Sequence, residues 1–365
     1  FQRADIVAAS RYFEYYGGAA DKVHGDTIPF MDGYLVNTLY EPLGVTAHII
    51  PWNYPAQMFG RTVAAALAMG NATVVKPAEE ACLVPLRLAE LCAEAGFPAG
   101  AVNVVPGLGE EAGAALSNHR GIDFISFTGS PEVGTLIQIA AAKNHIGCTL
   151  ELGGKSPQIV FGDADLGAAV QSVAAAIVQN AGQTCSAGSR VLVERRVWDR
   201  FMADLKLRFE QIRAGTPDMD LDLGPVISAT QKGRIGAMLA RAEQGGARIL
   251  AQGAIAGDAP SGGYYVTPTI YHDVDPASEL GQDEVFGPIL AAMPFEDEAE
   301  AIRLANGTDY GLVAGVWSAD CGRAIRVARK VRAGQLFVNG YGAGGGIELP
   351  FGGMKKSGHG REKGF

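Results

Sequence analysis

Between positions 43 and 161 short apolar runs alternate with stretches of helical period. Residues 44–50, 72–76, 101–105, 122–127 and 157–161 read as strands, while 56–69 and 81–95 read as helices. Gly70 closes the first helix, and Gly96 with Pro98 behind it closes the second. The strands are apolar throughout, as parallel strands are when helices cover both faces of a sheet. This alternation predicts a doubly wound α/β sheet, whose ligands sit at the carboxyl ends of the strands. A second α/β region begins near Glu151. It comprises an alanine-rich helix over 164–180 started by Asp165, a strand at 189–194 and an amphipathic helix at 198–212. Later strands are expected at 265–271, 312–317 and 335–338. Residues 27–40 alternate like a β-hairpin, with Asp32-Gly33 at the turn.

Composition narrows the function. The 365 residues carry 30 Lys plus Arg against 39 Asp plus Glu, a net charge of −9, with no dense basic stretch. Such a chain is poorly suited to nucleic acid or an anionic membrane surface. There is no run of roughly 18 apolar residues to cross a membrane. Five cysteines without a C-x-x-C pair argue against a disulfide framework or a zinc cluster and favour the reduced thiols of a cytosol. No metal site and a cytoplasmic location are therefore expected. Glycine is in excess, at 49 residues. The chain starts at Phe1 and stops at Phe365, which reads as trimming at both ends.

Several segments could carry chemistry. Gly107-Leu-Gly109-Glu-Glu-Ala-Gly113 follows a strand, but its spacing is one residue too long for a dinucleotide fingerprint and reads as an ordinary turn. Gly153-Gly154-Lys155-Ser156 ends like a P-loop without the first glycine. In the segment 127–134, Ser130 is a helix cap and Pro131 a first helical residue, a pattern that serves a plain helix start or a phosphate site equally well. Cys185 stands in Gly-Gln-Thr-Cys-Ser, among small polar residues that leave a thiol accessible for nucleophilic attack. Cys82, Cys92, Cys148 and Cys321 read as packing residues. Glu151, flanked by two leucines at a strand end, reads on its own as an exposed strand-end charge, although desolvation there would suit a general base. Asn53 lies in the stiff loop Pro51-Trp52-Asn53-Tyr54-Pro55, which serves as a structural turn or can hold an amide where an oxyanion develops.

Together these segments resemble the aldehyde dehydrogenase family over essentially the whole chain. The motifs occur in family order: P-W-N-Y-P at 51–55, K-P-A-E at 76–79, F-T-G-S at 127–130, E-L-G-G-K at 151–155, G-Q-T-C at 182–185, E-V-F-G-P at 284–288 and P-F-G-G at 350–353. The resemblance implies two doubly wound parallel-sheet domains and a β-hairpin oligomerisation arm. Residues 1–23 and 43–150 would form the NAD-binding domain, 24–42 the arm, 151–349 the catalytic domain and 350–365 a return segment toward the cofactor domain.

The resemblance also implies roles. Cys185 matches the nucleophile, Glu151 the base that activates the hydrolytic water, and Asn53 the oxyanion-hole amide. Ile49, Pro51, Trp52, Lys76, Glu79, Gly109, Phe127, Gly129, Ser130, Leu152, Glu284 and Phe286 match cofactor contacts, and Glu362 matches a secondary glutamate of the proton path. Gln57, Met58, Thr184, Ser186 and Tyr341 match the substrate tunnel. The implied reaction is oxidation of an aldehyde to the acid with NAD, through a cysteine thiohemiacetal and a thioester, in a homodimer or homotetramer. Glu79 repels a 2′-phosphate, so NAD is expected over NADP. Gly60 and the side-chain-poor loop 341–348 suggest a roomy tunnel for a bulky or aromatic aldehyde. The alternatives are a CoA-acylating semialdehyde dehydrogenase, against which Glu151 argues, and a non-catalytic scaffold of the same fold.

Overall fold

The computed structural model describes residues 2–342 and 346–365. They fall into two compact units. The first comprises the residues up to Glu151 with 346–351 and 360–365; the second comprises Leu152 onward to 342, with 352–359.

The first unit opens with α1 (Gln2–Gly17), followed by two short antiparallel strands, β1 (Thr27–Ile28) and β2 (Val36–Asn37). The hairpin is thus present, but its ladder pairs only Thr27 with Asn37 and Ile28 with Val36. Its turn is closed by the Tyr34 N–H on the Met31 carbonyl, with Gly33 at φ +84°. Then come β3 (Val45–Ile50), α2 (Pro55–Ala68), β4 (Ala72–Pro77), α3 (Leu83–Glu94), β5 (Val102–Val104), α4 (Ala114–Ser117), β6 (Phe124–Thr128), α5 (Pro131–Asn144) and β7 (Gly147–Glu151). The strands lie in the order β7-β6-β3-β4-β5, all parallel. The order reverses at β3, the point where open α/β sheets leave a crevice for ligands. The expected helix over 81–95 starts later, at Leu83, because residues Glu79–Ala81 form a separate 3-10 turn. Tyr54, Met58, Phe59, Val63 and Val75 fill the space between helix and sheet.

The second unit contains β8 (Pro157–Val160), α6 (Leu166–Val178), β9 (Arg190–Glu194), α7 (Trp198–Glu210), β10 (Arg213–Ala214), α8 (Ala229–Gln244), β11 (Arg248–Gln252) and β12 (Ala254–Ile255). These are followed by β13 (Thr269–His272), α9 (Glu279–Gln282), β14 (Ile289–Phe295), α10 (Glu298–Asn306), β15 (Val313–Trp317), α11 (Cys321–Lys330) and β16 (Gln335–Val338). Seven strands run in the order β11-β13-β14-β9-β8-β15-β16 and are parallel apart from β11; β10 and β12 pair separately. The strand expected at 265–271 begins only at Thr269, since Pro268 has no N–H for a ladder. α6 stops at Val178 rather than Asn180, because Asn180, Ala181 and Gly182 all turn left-handed, at φ +51°, +54° and +73°.

Candidate active site

The loop that carries Asn53 is pinned from outside. The N-cap residue of α2 is Tyr54, whose side chain makes no hydrogen bond to the helix start. Asp5 of α1 supplies the cap: its carboxylate accepts the N–H groups of Ala56 (3.0 Å) and Gln57 (3.2 Å). Asp5 went unnoticed in the sequence because its partner lies 51 residues away. Met58, expected to line a tunnel, packs in the core of the first unit at 4% exposure.

Gly60 also differs from expectation. It faces α1, where a Cβ would stand 2.8 Å from the Ala9 Cα. Glycine at this position lets two helices touch, and the inference of a widened tunnel from it is corrected. The loop at 341–348 lies partly outside the described residues; its described Gly342, at φ +81°, has open space where a Cβ would point.

Residues at the carboxyl ends of β3, β4 and β6 form the candidate cofactor surface. Ile49, Pro51 and Trp52 follow one another out of β3, each half-buried. Buried Lys76 is the last residue but one of β4, and its ammonium donates to Glu79 at 2.9 Å. Burial would raise the Glu79 carboxyl, but the Lys76 hydrogen bond and the Gly109 N–H outweigh it and hold the group below its usual range. Gly109, in the turn dismissed as a phosphate motif, therefore contributes by its backbone. After β6, Ser130 caps α5 by accepting the Val133 N–H, and Gly129 donates to the Glu151 carbonyl at 3.0 Å. A Cβ on Gly129 would strike the Phe127 ring at 2.5 Å. An exposed carboxylate for ribose hydroxyls, a lysine beside it and the N-terminus of a 14-residue helix fit a dinucleotide.

Glu151 ends β7 at 2% exposure. Its carboxyl is pushed up to about 8, first by burial and further by Glu362, against the opposing pull of Arg61. A carboxyl so placed takes and gives a proton near neutrality.

In the second unit, Cys185 follows the left-handed run 180–182. Gly182 packs on the Gly287 backbone and leaves no room for a Cβ. The Cys185 carbonyl rests on Gly154, where a Cβ would come within 2.5 Å. Tyr341 donates its hydroxyl to the Ser186 carbonyl at 2.9 Å, so the chain beside the thiol is held on both sides. Thr184 is 9% exposed. The Glu284 carboxylate accepts the Gly154 N–H at 2.9 Å and presses on Gly153. Phe286 takes φ +55° while its carbonyl accepts from Gln231 at 2.8 Å. Leu152 is bound through its N–H to the Ser357 carbonyl, and the Ser357 hydroxyl donates to Gly153 at 2.7 Å. The G-G glycines of this unit thus let one carboxylate and one carbonyl approach the same backbone.

Lys155, the lysine of the E-L-G-G-K motif, is 1% exposed; burial first and then Arg190 push its ammonium down to about 7, against the pull of Glu284 and Asp283. Fully buried Arg190 donates to the carbonyls of Lys155, Leu304 and Ala305, each at 2.9 Å.

Comparison with known proteins identifies the arrangement. The profile of the aldehyde dehydrogenase family matches residues 1–365. An aldehyde dehydrogenase of Emericella nidulans is 43% identical over 364 residues, which is 99% of this chain and 72% of that one. A solved structure from Burkholderia cenocepacia, 60% identical, superposes with a TM-score of 0.98 over 99% of this chain and 76% of its own. The NAD+ complex of a Bacillus cereus aldehyde dehydrogenase, 41% identical, superposes with a TM-score of 0.95 over 99% of this chain and 73% of its own. No helix among the described residues is long and apolar enough to cross a membrane.

Proposed function

The chain belongs to the aldehyde dehydrogenase family, and from that premise we propose that it oxidises an aldehyde to the acid with NAD, using Cys185 as nucleophile and Glu151 as general base. When bound, NAD supplies the hydride acceptor. Lys76, Glu79 and the Ser130 helix start would hold its adenosine and pyrophosphate, and Glu284 with Phe286 its nicotinamide ribose and ring.

The Cys185 thiolate attacks the carbonyl carbon, and the thiohemiacetal oxyanion is stabilised by amide donors, Asn53 among them. Such a donor is worth ~3–4 kcal/mol of barrier. Loss of hydride from that carbon leaves a thioester on Cys185. Glu151 then takes a proton from water, whose oxygen attacks the acyl carbon and frees the acid and the thiol. Covalent catalysis divides one hard step into two. The observation that carries the reading is the burial of Glu151 at the end of β7, which brings its carboxyl to about 8. It also separates this reading from a CoA-acylating enzyme, which has no need of a base for water. Free acid formed without CoA supports the hydrolytic route; acid formation that requires CoA counts against it.

A bulky or aromatic aldehyde is the proposed substrate, a reading that rests on the side-chain-poor loop 341–348. A kinetic panel of acetaldehyde, betaine aldehyde, benzaldehyde and long-chain aldehydes tests this, and preference for the first two overturns it. The protein is further proposed to form a homo-oligomer through its hairpin arm, where Phe30, Tyr34, Leu35, Leu39 and Tyr40 are all exposed.

A further inference from the structure

Arg61 has no part in the reaction as described, yet its side chain is 2% exposed. It projects from α2 into a cluster with two carboxylates. Its Nη2 lies 3.2 Å from Glu151 Oε2, and its Nε pairs with Glu362 Oε2. The guanidinium stacks on the Phe351 ring at 4.7 Å, and its Nη1 reaches the Met58 sulfur at 3.8 Å. Glu362 is fixed in turn, because its Oε1 accepts from Ser126 Oγ at 2.7 Å. Four separate stretches of chain therefore meet at one cation: α2, the end of β7, the segment 346–351 and the segment 360–365.

We propose that Arg61 is a positioning residue: its guanidinium ties Glu151 and Glu362 into one buried ion cluster, and so fixes where the general base stands and when it carries a proton. The proposal rests on the reading of Glu151 as that base.

Charge counting gives the reason. One guanidinium and two carboxylates sum to −1, an unfavourable net charge in a buried place, and one bound proton cancels it. Both partners of Glu151 act through this sum with opposite sign. Removing the cation leaves two buried carboxylates facing each other, so Glu151 holds its proton to higher pH. Removing Glu362 leaves the guanidinium to Glu151 alone, which then releases its proton at lower pH. A lysine supplies the charge without the planar fork, and serves one carboxylate at a time.

The other groups that face the cluster do not overturn this sign. Tyr12 and Tyr16 of α1 are held protonated, their phenols raised first by burial. His48 of β3 is pushed down to about 4 by burial and is neutral. Arg361 acts on Glu151 more weakly than Arg61 does, and Lys363 stacks on the Phe351 ring at 5.4 Å. A cavity of about 420 Å³, lined by Arg61, His48, Ser126, Thr149 and Glu362, adjoins the cluster and gives water a place to exchange protons with it.

The test is the rate of acid release in a single turnover, followed from pH 5.5 to 10 in the full-length enzyme. Arg61→Met is expected to move the acid limb up by about one pH unit or more, with roughly tenfold slower release at pH 7 and an undiminished NADH burst. Glu362→Gln is expected to move the limb down, and Arg61→Lys to restore part of the wild-type position. If both Arg61→Met and Glu362→Gln leave the limb in place, or move it the same way, while Glu151→Gln blocks acid release, the inference fails and the catalytic reading stands. If Glu151→Gln releases acid at the wild-type rate, the reading fails and takes the inference with it. Should Arg61→Met not fold, Arg61→Lys and Glu362→Gln still carry the test, because they must shift the limb in opposite directions.

Discussion

Gly60 on α2 meets Ala9 on α1 so closely that an added Cβ would stand 2.8 Å from the Ala9 Cα. The neighbour is backbone and cannot rotate away. Gly60→Ala is therefore expected to lose about 1–3 kcal/mol of stability through overpacking, more than the ~1 kcal/mol gained in helix propensity. Denaturant unfolding measures this. Unchanged stability with a narrowed range of aldehydes would instead return Gly60 to the substrate tunnel.

The second prediction concerns the helix that follows Asn53. The Asp5 carboxylate caps its first two N–H groups, so Asp5→Ala should cost about 0.5–2 kcal/mol. The same variant should lower kcat more than it raises KM, since the Asn53 loop loses its anchor. Thermal unfolding and steady-state kinetics on one preparation read both effects.

Cofactor choice is expected to follow Glu79. Glu79→Gln removes the charge that repels a 2′-phosphate while keeping an acceptor for a ribose hydroxyl, and it frees the Lys76 ammonium, now 2.9 Å away, to meet a phosphate. The ratio of kcat/KM for NAD over NADP should fall by about tenfold or more, the equivalent of ~1.4 kcal/mol. A ratio that does not move removes Glu79 from the discrimination.

Glu151 makes stability depend on pH. Its folded-state value, about 8, lies above the ordinary 4.5, so the folded protein holds a proton that the unfolded chain releases. Its contribution is complete below pH 4.5 and is lost as pH rises through 8. Relative to Glu151→Gln, the wild type should therefore weaken with increasing pH across that window, by up to ~1.4 kcal/mol per unit. Paired unfolding curves at pH 6 and pH 8.5 test the sign. A wild type that gains on the variant with rising pH contradicts it.

Local chemistry was legible in the sequence where it was written in neighbouring residues. Gly70 and Gly96 do end helices with positive φ, at +79° and +92°, and Ser130-Pro131 does open α5. Strands β3, β4 and β6 lie within a residue or two of their apolar runs. β14 escaped because Ile289–Phe295 is buried on both faces and shows no alternation, although it lies between β13 and β9 in the second sheet. The Asp5 cap, the Arg190 anchor and the Arg61 cluster escaped for another reason. Their partners are far away in sequence, and only the finished fold brings a lone Asp or Arg to its carbonyl, amide or carboxylate. The glycine turn at 107–113 lacks the Rossmann spacing, and its Gly109 N–H supports the Glu79 carboxylate instead.

The measurement that bears most directly on the account is NADH formation by Glu151→Gln mixed with aldehyde and NAD, beside wild type and Cys185→Ala. One NADH per Glu151→Gln active site is expected, followed by a stall as the thioester persists, with continuous turnover in the wild type and none with Cys185→Ala. Sustained wild-type turnover by either variant would contradict this.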